Sequence, residues 1–301
     1  MDTRRLYSFV KIVDAGSITR AAAILHIAQP ALSQQVSTLE TEFAQRLLIR
    51  SKRGVVPTEA GRALYRHAQL ILRQVEQARA AVDVGGRAPA GSVSVGLAPY
   101  STGAALALPL LRAVRERYPE IVLHINENFG GVISEAIMTG RMDMAFIYGA
   151  GPIRGVQFEP MRTEDLLLIS AGTRPASGED VTVEELAEVD LLLPSRIHTI
   201  RQVVDAAFAQ VSLTPRVVGE IESALTLVNA VTADLGATVL PWSAARAILD
   251  VSGLVVRRIA PAIEVQLSLC TSDHQPLSEP ALVVHDLFHE LITAFDEEEQ
   301  R

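Results

Sequence analysis

Apolar residues in the first eighty-seven positions recur at helical spacing in four places. Leu6, Phe9, Val10 and Val13 form the first stripe, and Gly16 closes that segment. Ser17 can cap a second helix whose inner face is Ile18, Ala21, Ala22 and Leu25; its small alanines admit a close neighbour. After the turn His26-Ile27-Ala28, Gln29-Pro30 opens a third helix, because the N–H that proline lacks is not needed in a first turn. Leu32, Val36, Leu39 and Phe43 are its predicted buried stripe, and Ser33, Gln34, Ser37 and Thr41 its opposite face. Arg46–Arg50 and Val55–Pro57 then read as two short strands around Ser51-Lys52-Arg53-Gly54. Thr58 caps a long fourth helix starting near Glu59. Its stripe of Leu64, Ala68, Ile71, Leu72, Val75, Ala78 and Val82 needs a partner, most simply a second copy of itself. Gly85-Gly86 stops it, and Ala88-Pro89-Ala90-Gly91 reads as a hinge.

Beyond residue 91 the period changes, and strands alternate with helices. Val93–Leu97, Ile121–Ile125 and Met144–Tyr148 are strands separated by helices at Leu106–Tyr118 and Val132–Thr139, a βαβαβ pattern that predicts a doubly wound parallel sheet. A second such unit follows: strands at Leu166–Ser170, Leu191–Leu193, Val217–Ile221, Thr238–Leu240 and Leu254–Ile259, with helices between. Ile263–Leu269 is strand-like and a C-terminal helix runs through Leu287 and Leu291. Two α/β subdomains in one chain tend to hold a ligand in the cleft between them.

Charge sharpens the division. Residues 1–87 carry 13 Lys+Arg against 7 Asp+Glu, whereas the remaining residues carry 14 against 28 within an overall charge of -8. That asymmetry suggests a nucleic-acid-binding end joined to a part that phosphates repel. There is no run of 18 uncharged apolar residues, so no membrane helix is expected, and the amphipathic start does not read as a signal peptide. A cytoplasmic protein is expected, with which a single Cys270 in an apolar strand is compatible.

The polar face of the third helix is short-chained and uncharged, unlike the Glu- and Lys-rich face of an ordinary solvated helix. Gln can pair bidentately with adenine, and Ser can donate or accept at a base edge. Two short helices joined by a tight turn, the second carrying such a face, read as helix-turn-helix; a plain three-helix bundle is the alternative. The basic hairpin tip favours the former, as a wing that sets Lys52 and Arg53 against phosphates or a minor groove.

The run Ser17-Ile18-Thr19-Arg20-Ala21-Ala22-Ala23-Ile24-Leu25, then Gln29-Pro30-Ala31-Leu32-Ser33, Leu39-Glu40, Arg50 and Thr58-x-x-Gly61, closely resembles the LysR-type transcriptional regulators. Ala44 stands where that family usually has glycine, and Leu48 where it usually has phenylalanine. The resemblance implies a winged helix-turn-helix over residues 1–58, a linker helix and hinge over 59–91, and an effector-binding domain over 92–301. That last domain would hold two Rossmann-like α/β subdomains like those of periplasmic binding proteins, I at 92–161 and 267–301 and II at 162–266. The crossings fall near Met161 and Gln266. It implies base reading by Gln29, Pro30, Ser33 and Gln34, phosphate contacts from Thr19, Gln35, Arg50 and Lys52, and a minor-groove approach by Arg53. It further implies a dimer or homotetramer on double-stranded DNA with two half-sites. Leu192-Leu193-Pro194-Ser195-Arg196-x-His198 also resembles the family's nitrogen-assimilation-control branch.

Effector candidates follow strand ends: Tyr100, Ser101 and Thr102; Asn128 and Phe129; Tyr148; and Ser195, Arg196 and His198. Hydroxyls at a helix start facing a guanidinium suit a small anion such as a carboxylate. Each Ser or Thr could equally be a simple helix cap. Nothing points to an enzyme or a cofactor: there is no phosphate loop, no Gly-x-Ser-x-Gly elbow and no dinucleotide fingerprint at Gly149-Ala150-Gly151. His285 and His289 are four apart, but His-Asp-Leu-Phe-His lacks the glutamate of a zinc-protease helix, so no metal is assigned. A solute-binding receptor with the same cleft, and a regulator working without effector, stay open as alternatives.

Overall fold

The computed structural model describes residues 2–51, 54–82, 88–128, 130–149, 151–172, 180–244 and 253–299. Two compact units result, one of residues 1–87 with Thr139–Arg141 and the other of the rest.

In the first unit, α1 (Thr3–Ala15) is capped by Asp2 and ends where Gly16 turns left-handed at φ 60°. α2 (Ile18–Leu25) starts at Ser17, whose hydroxyl accepts from the Arg20 N–H, and α3 (Gln29–Glu42) has Pro30 in its first turn. Leu6, Phe9, Ile12, Ala21, Leu32, Val36 and Leu39 are fully buried together. Phe43 departs from expectation: it lies just past the end of α3 and is 41% exposed. Leu47 and Leu48 close the core in its place, at 2% and 3% exposure. The chain reaches them because Ala44 adopts a left-handed φ of 50° and turns away from the helix axis.

β1 (Leu48–Ser51) and β2 (Gly54–Pro57) form the antiparallel hairpin, with Arg50 opposite Val55. Its base is tied by Glu40, whose Oε1 accepts from the Leu47 and Leu48 N–H groups at 2.9 and 3.2 Å. Thr58 accepts from the Gly61 N–H at 2.9 Å and donates to the Arg46 carbonyl at 2.7 Å, joining hairpin to helix. Gly61 is required there, since a Cβ would sit 2.0 Å from the Leu47 carbonyl oxygen. α4 (Glu59–Val82) follows. The first half of its stripe does not wait for a second copy: Ala68 is fully buried in the domain core, with Leu64, Tyr65, Ile71 and Leu72 packed around it. The stop predicted at Gly85-Gly86 lies outside the described residues.

The second unit begins with β3 (Gly91–Leu97), α5 (Thr102–Ala105), α6 (Ala107–Arg117), β4 (Ile121–Glu127), α7 (Gly130–Met138) and β5 (Met144–Tyr148). β3 pairs in parallel with both β4 and β5, as the βαβαβ pattern requires. The remainder comprises β6 (Val156–Ala171), α8 (Val183–Leu186), β7 (Leu191–Leu193), α9 (Thr199–Gln210) and β8 (Val217–Glu220). These are followed by α10 (Ala224–Thr232), β9 (Thr238–Pro241), β10 (Leu254–Arg258), β11 (Glu264–Ser272) and α12 (Glu279–Glu299).

Here the sheet is mixed rather than wholly parallel. β7 and β8 are parallel, but β6 runs antiparallel to β9, β10 and β11, and β11 antiparallel to β5. β6 is also longer than its apolar end predicts. Residues 156–165 pair with β11, and Leu166–Ala171 turn to β9 and β10, so β6 and β11 together carry the chain between the two groups of strands. The pairing skips Met161 at a bulge, beside Pro160, which has no N–H to give a ladder. Cys270 is fully buried in β11, where burial pushes its thiol up to about 12. Phe146 and Phe288 meet edge to face with centroids 4.8 Å apart and hold α12 on the sheet.

Candidate functional site

On the first unit, α3 presents Gln29, Pro30, Gln34, Ser37 and Thr41 to solvent, with Ser33 half-buried. Gln29 Nε2 donates to Ser33 Oγ at 2.9 Å, so these two side chains act as one fixed pair. The Thr38 and Thr41 hydroxyls donate back to the Gln34 and Ser37 carbonyls, each at 2.9 Å. Their outward oxygens are left as acceptors. Gln34, Ser37, Thr38, Thr41 and Glu42 line one shallow groove. Thr19 and Arg50 are exposed on α2 and β1, while Gln35 is half-buried with its Oε1 enclosed and unpaired. Lys52 and Arg53, at the hairpin tip, lie outside the described residues. The first three turns of α3 carry no outward carboxylate: Glu40 turns inward to the hairpin, and Glu42 is at the far end.

In the second unit two of the sequence candidates, Thr102 and Tyr148, meet around a residue that sequence reasoning missed. Glu164 on β6 is 4% exposed. Its Oε2 accepts from the Tyr148 hydroxyl at 2.6 Å; its Oε1 accepts from the Thr102 hydroxyl and, at 2.9 Å, from Ser243 just beyond β9. Arg162, two residues before it on the same strand face, brings Nε to 3.8 Å and pairs its Nη1 with Asp296 of α12 at 2.7 Å. A carboxylate of the chain itself therefore already takes the Thr102 hydroxyl, one of the two expected to meet an anion. Burial, and next the Glu164 charge, push the Tyr148 phenol well above its ordinary value, so it stays a donor.

Ser101 is an internal cap: it donates to the Ala98 carbonyl at 2.6 Å and accepts from the Ala104 N–H at 3.1 Å. The helix it opens is four residues long, too short for much of a dipole. Tyr100, left-handed at φ 58°, is buried with its hydroxyl unpaired, and its ring meets that of His198 at 6.0 Å between centroids. His198 caps α9 by accepting from the Ile200 N–H through Nδ1 at 3.2 Å. Burial pushes its pKa down to about 4, which makes it a neutral imidazole at physiological pH. The Ser195 hydroxyl is enclosed and unpaired, while its N–H donates to Glu222 Oε1 at 3.2 Å. Asn128 donates its N–H to the Leu97 carbonyl, and Phe129 lies outside the described residues.

Arg196 is exposed, and it offers its carbonyl to Gln202. The buried guanidinium of this region is Arg201, in the first turn of α9, held by Asp205 at 2.8 Å, Glu220 at 3.1 Å and the Pro194 carbonyl at 3.2 Å. Its position inside an amphipathic helix gave no signal that it would turn inward.

Comparison with known proteins accounts for both units. Residues 3–62 match the family described as bacterial regulatory helix-turn-helix protein, lysR family, and residues 86–292 match the LysR substrate binding domain. The chain is 48% identical over 295 residues to the nitrogen assimilation regulatory protein nac of Escherichia coli (strain K12), covering 98% of this chain and 96% of that protein. It is 45% identical over 294 residues to the protein of the same name from Klebsiella aerogenes, covering 97% and 96%. Among solved structures, a full-length OxyR variant from Pseudomonas aeruginosa is similar with a TM-score of 0.75 at 26% identity, over 97% of this chain and 94% of that one. Full-length CbnR complexed with its target DNA shares the fold with a TM-score of 0.70 at 23% identity, over 98% and 99%. The expected branch resemblance is thus supported along the whole chain. No helix among the described residues is long and apolar enough to cross a membrane. Matched in both units, the chain belongs to the LysR family of DNA-binding transcriptional regulators, with a helix-turn-helix and an effector-binding domain, and is not an enzyme.

Proposed function

We propose that α3 reads base edges in a major groove through Gln29, Ser33 and Gln34, with Thr19, Gln35, Arg50 and Lys52 on phosphates and Arg53 toward a minor groove. The observation that carries this is the solvent-facing, short-chained polar face of α3 at Gln29, Ser33, Gln34 and Ser37, with its one carboxylate, Glu42, at the C-terminal end, beside a hairpin whose tip is basic in sequence. Two copies, joined through the part of the α4 stripe beyond Leu72, at Val75 and Ala78, read an operator of two half-sites. Selection from random duplexes by the purified full-length chain tests this. A motif of two related half-sites is expected, and a single asymmetric half-site would overturn the dimeric part.

The effector has two readings, each with its own support. Tyr100 and Ser195 each leave a buried hydroxyl without a partner, which is where a small polar molecule gains most by binding. A carboxylate is the form suggested by the hydroxyls at the start of α5 together with the guanidinium of Arg196, which stands exposed. The second reading, regulation without effector, rests on Glu164, which supplies a carboxylate to Thr102, Tyr148 and Ser243 from within the chain. Calorimetry with small carboxylates and neutral metabolites separates them. Saturable binding lost in Ser195→Ala supports an effector, and operator binding equally selective in its absence supports the built-in carboxylate.

A further inference from the structure

Away from both sites, β6 and α12 bring together three side chains of a different chemistry. His285 and His289 stand one turn apart on one face of α12, and Glu159 of β6 faces them both. His285 Nε2 is 3.3 Å from Glu159 Oε2, and His289 Nε2 is 3.3 Å from Glu159 Oε1. The two imidazole centroids are 4.8 Å apart, and the three ligand atoms all lie within 4.8 Å of one another. Metal–ligand bonds of about 2.0–2.1 Å at tetrahedral angles place neighbouring ligand atoms about 3.3–3.4 Å apart. The two imidazole–carboxylate separations match that edge, each to a different Glu159 oxygen, and the remaining separations within 4.8 Å close to it with a small rotation of the side chains. Asp286 Oδ1 lies 3.6 Å from His285 Nδ1, on the far side of the ring from Glu159 and just beyond hydrogen-bond reach. The group is partly exposed, with His285 and His289 half-buried, so an ion can enter from solvent.

We propose that Glu159, His285 and His289 bind one divalent transition-metal ion of the zinc class, with water completing the shell. Two imidazoles and one carboxylate select such an ion over magnesium or calcium, which take oxygen ligands. The ion clamps α12 to β6, the strand that five residues later carries Glu164, and adds to the Arg162–Asp296 pair between the same two elements.

The test uses the full-length chain without an affinity tag, titrated with ZnCl2 in a calorimeter and followed by thermal melting. One equivalent of Zn2+ should bind and raise the melting temperature of the second unit. His289→Gln should weaken binding at least tenfold and abolish that rise, and Glu159→Gln should weaken it less. His274→Gln, at an exposed histidine outside the group, should bind as the wild type does. Co2+ should give the intense visible absorption of a four-coordinate site in the wild type and lose it in His289→Gln. Absence of a one-equivalent event, or equal binding by His289→Gln, would overturn the site and leave Glu159 as a polar contact of the two histidines only.

Discussion

The Tyr148 hydroxyl donates to Glu164 Oε2 at 2.6 Å, linking the end of β5 to the strand that leads into the next group of strands. A buried hydrogen bond to a charged group contributes about 1.5–3 kcal/mol, and its loss leaves the carboxylate with one donor fewer. Tyr148→Phe is therefore expected to destabilise the second unit by about 2 kcal/mol in urea unfolding. Glu164→Ala strands three hydroxyls at once and should cost more, with partial recovery in added acetate. Wild-type stability in Tyr148→Phe would mean that this bond only replaces water.

His198 makes the second unit sensitive to acid. Its folded pKa of about 4 lies below the ordinary 6.5, so between those values the unfolded chain binds a proton that the folded one refuses. The stability this contributes is complete above pH 6.5 and is lost as pH falls toward 4. Between pH 7 and pH 5 the loss is about 2 kcal/mol. His198→Asn keeps a good helix cap and cannot titrate. The wild type should lose about 2 kcal/mol more than this variant over that interval; parallel stability curves would refute the assignment.

Ala44 holds a left-handed conformation at φ 50°, with its methyl exposed. That conformation costs a non-glycine residue about 1–2 kcal/mol, and glycine gives back about 0.5–1 kcal/mol in the unfolded chain. Ala44→Gly should stabilise the first unit by about 0.5–1 kcal/mol without changing operator choice. Thermal melting checks the first point and duplex selection the second.

Gly61→Ala acts in the opposite direction. Its Cβ would lie 2.0 Å from the Leu47 carbonyl oxygen and 3.2 Å from Pro57 Cβ, so hairpin and helix must separate. A loss of about 1–3 kcal/mol is expected, together with weaker DNA binding as the wing shifts. Equal affinity in an electrophoretic titration would show that the wing is held by other contacts.

The first unit was legible because its signals are local. Gly16, Ser17, Pro30 and Thr58 each mark a boundary within a few residues, and the stripe of α3 sets its outer face unaided. Phe43 misled because periodicity continues past the point where Ala44 turns the chain. The segment Glu159-Pro160-Met161-Arg162-Thr163-Glu164-Asp165 hid more. Polar, proline-containing and without alternation, it reads as a loop, yet pairing with distant β11 makes it a strand. Both Glu164 and Glu159 lie in it, so the buried carboxylate and the third member of the histidine group were out of reach together. Arg196 is the sequence candidate and Arg201 the buried guanidinium, because sequence gives nearness to a strand end but not which side chain turns inward.

Base reading by α3 is tested most directly by competition titrations of the wild type and Gln34→Ala against the selected operator and its single-base-pair variants, at one salt concentration. Gln34→Ala should lose about 1–3 kcal/mol of discrimination at one or two adjacent positions per half-site and keep the wild-type preference elsewhere. An unchanged preference at every position, or a uniform loss of affinity across all duplexes, would contradict it and place Gln34 on the phosphate backbone instead.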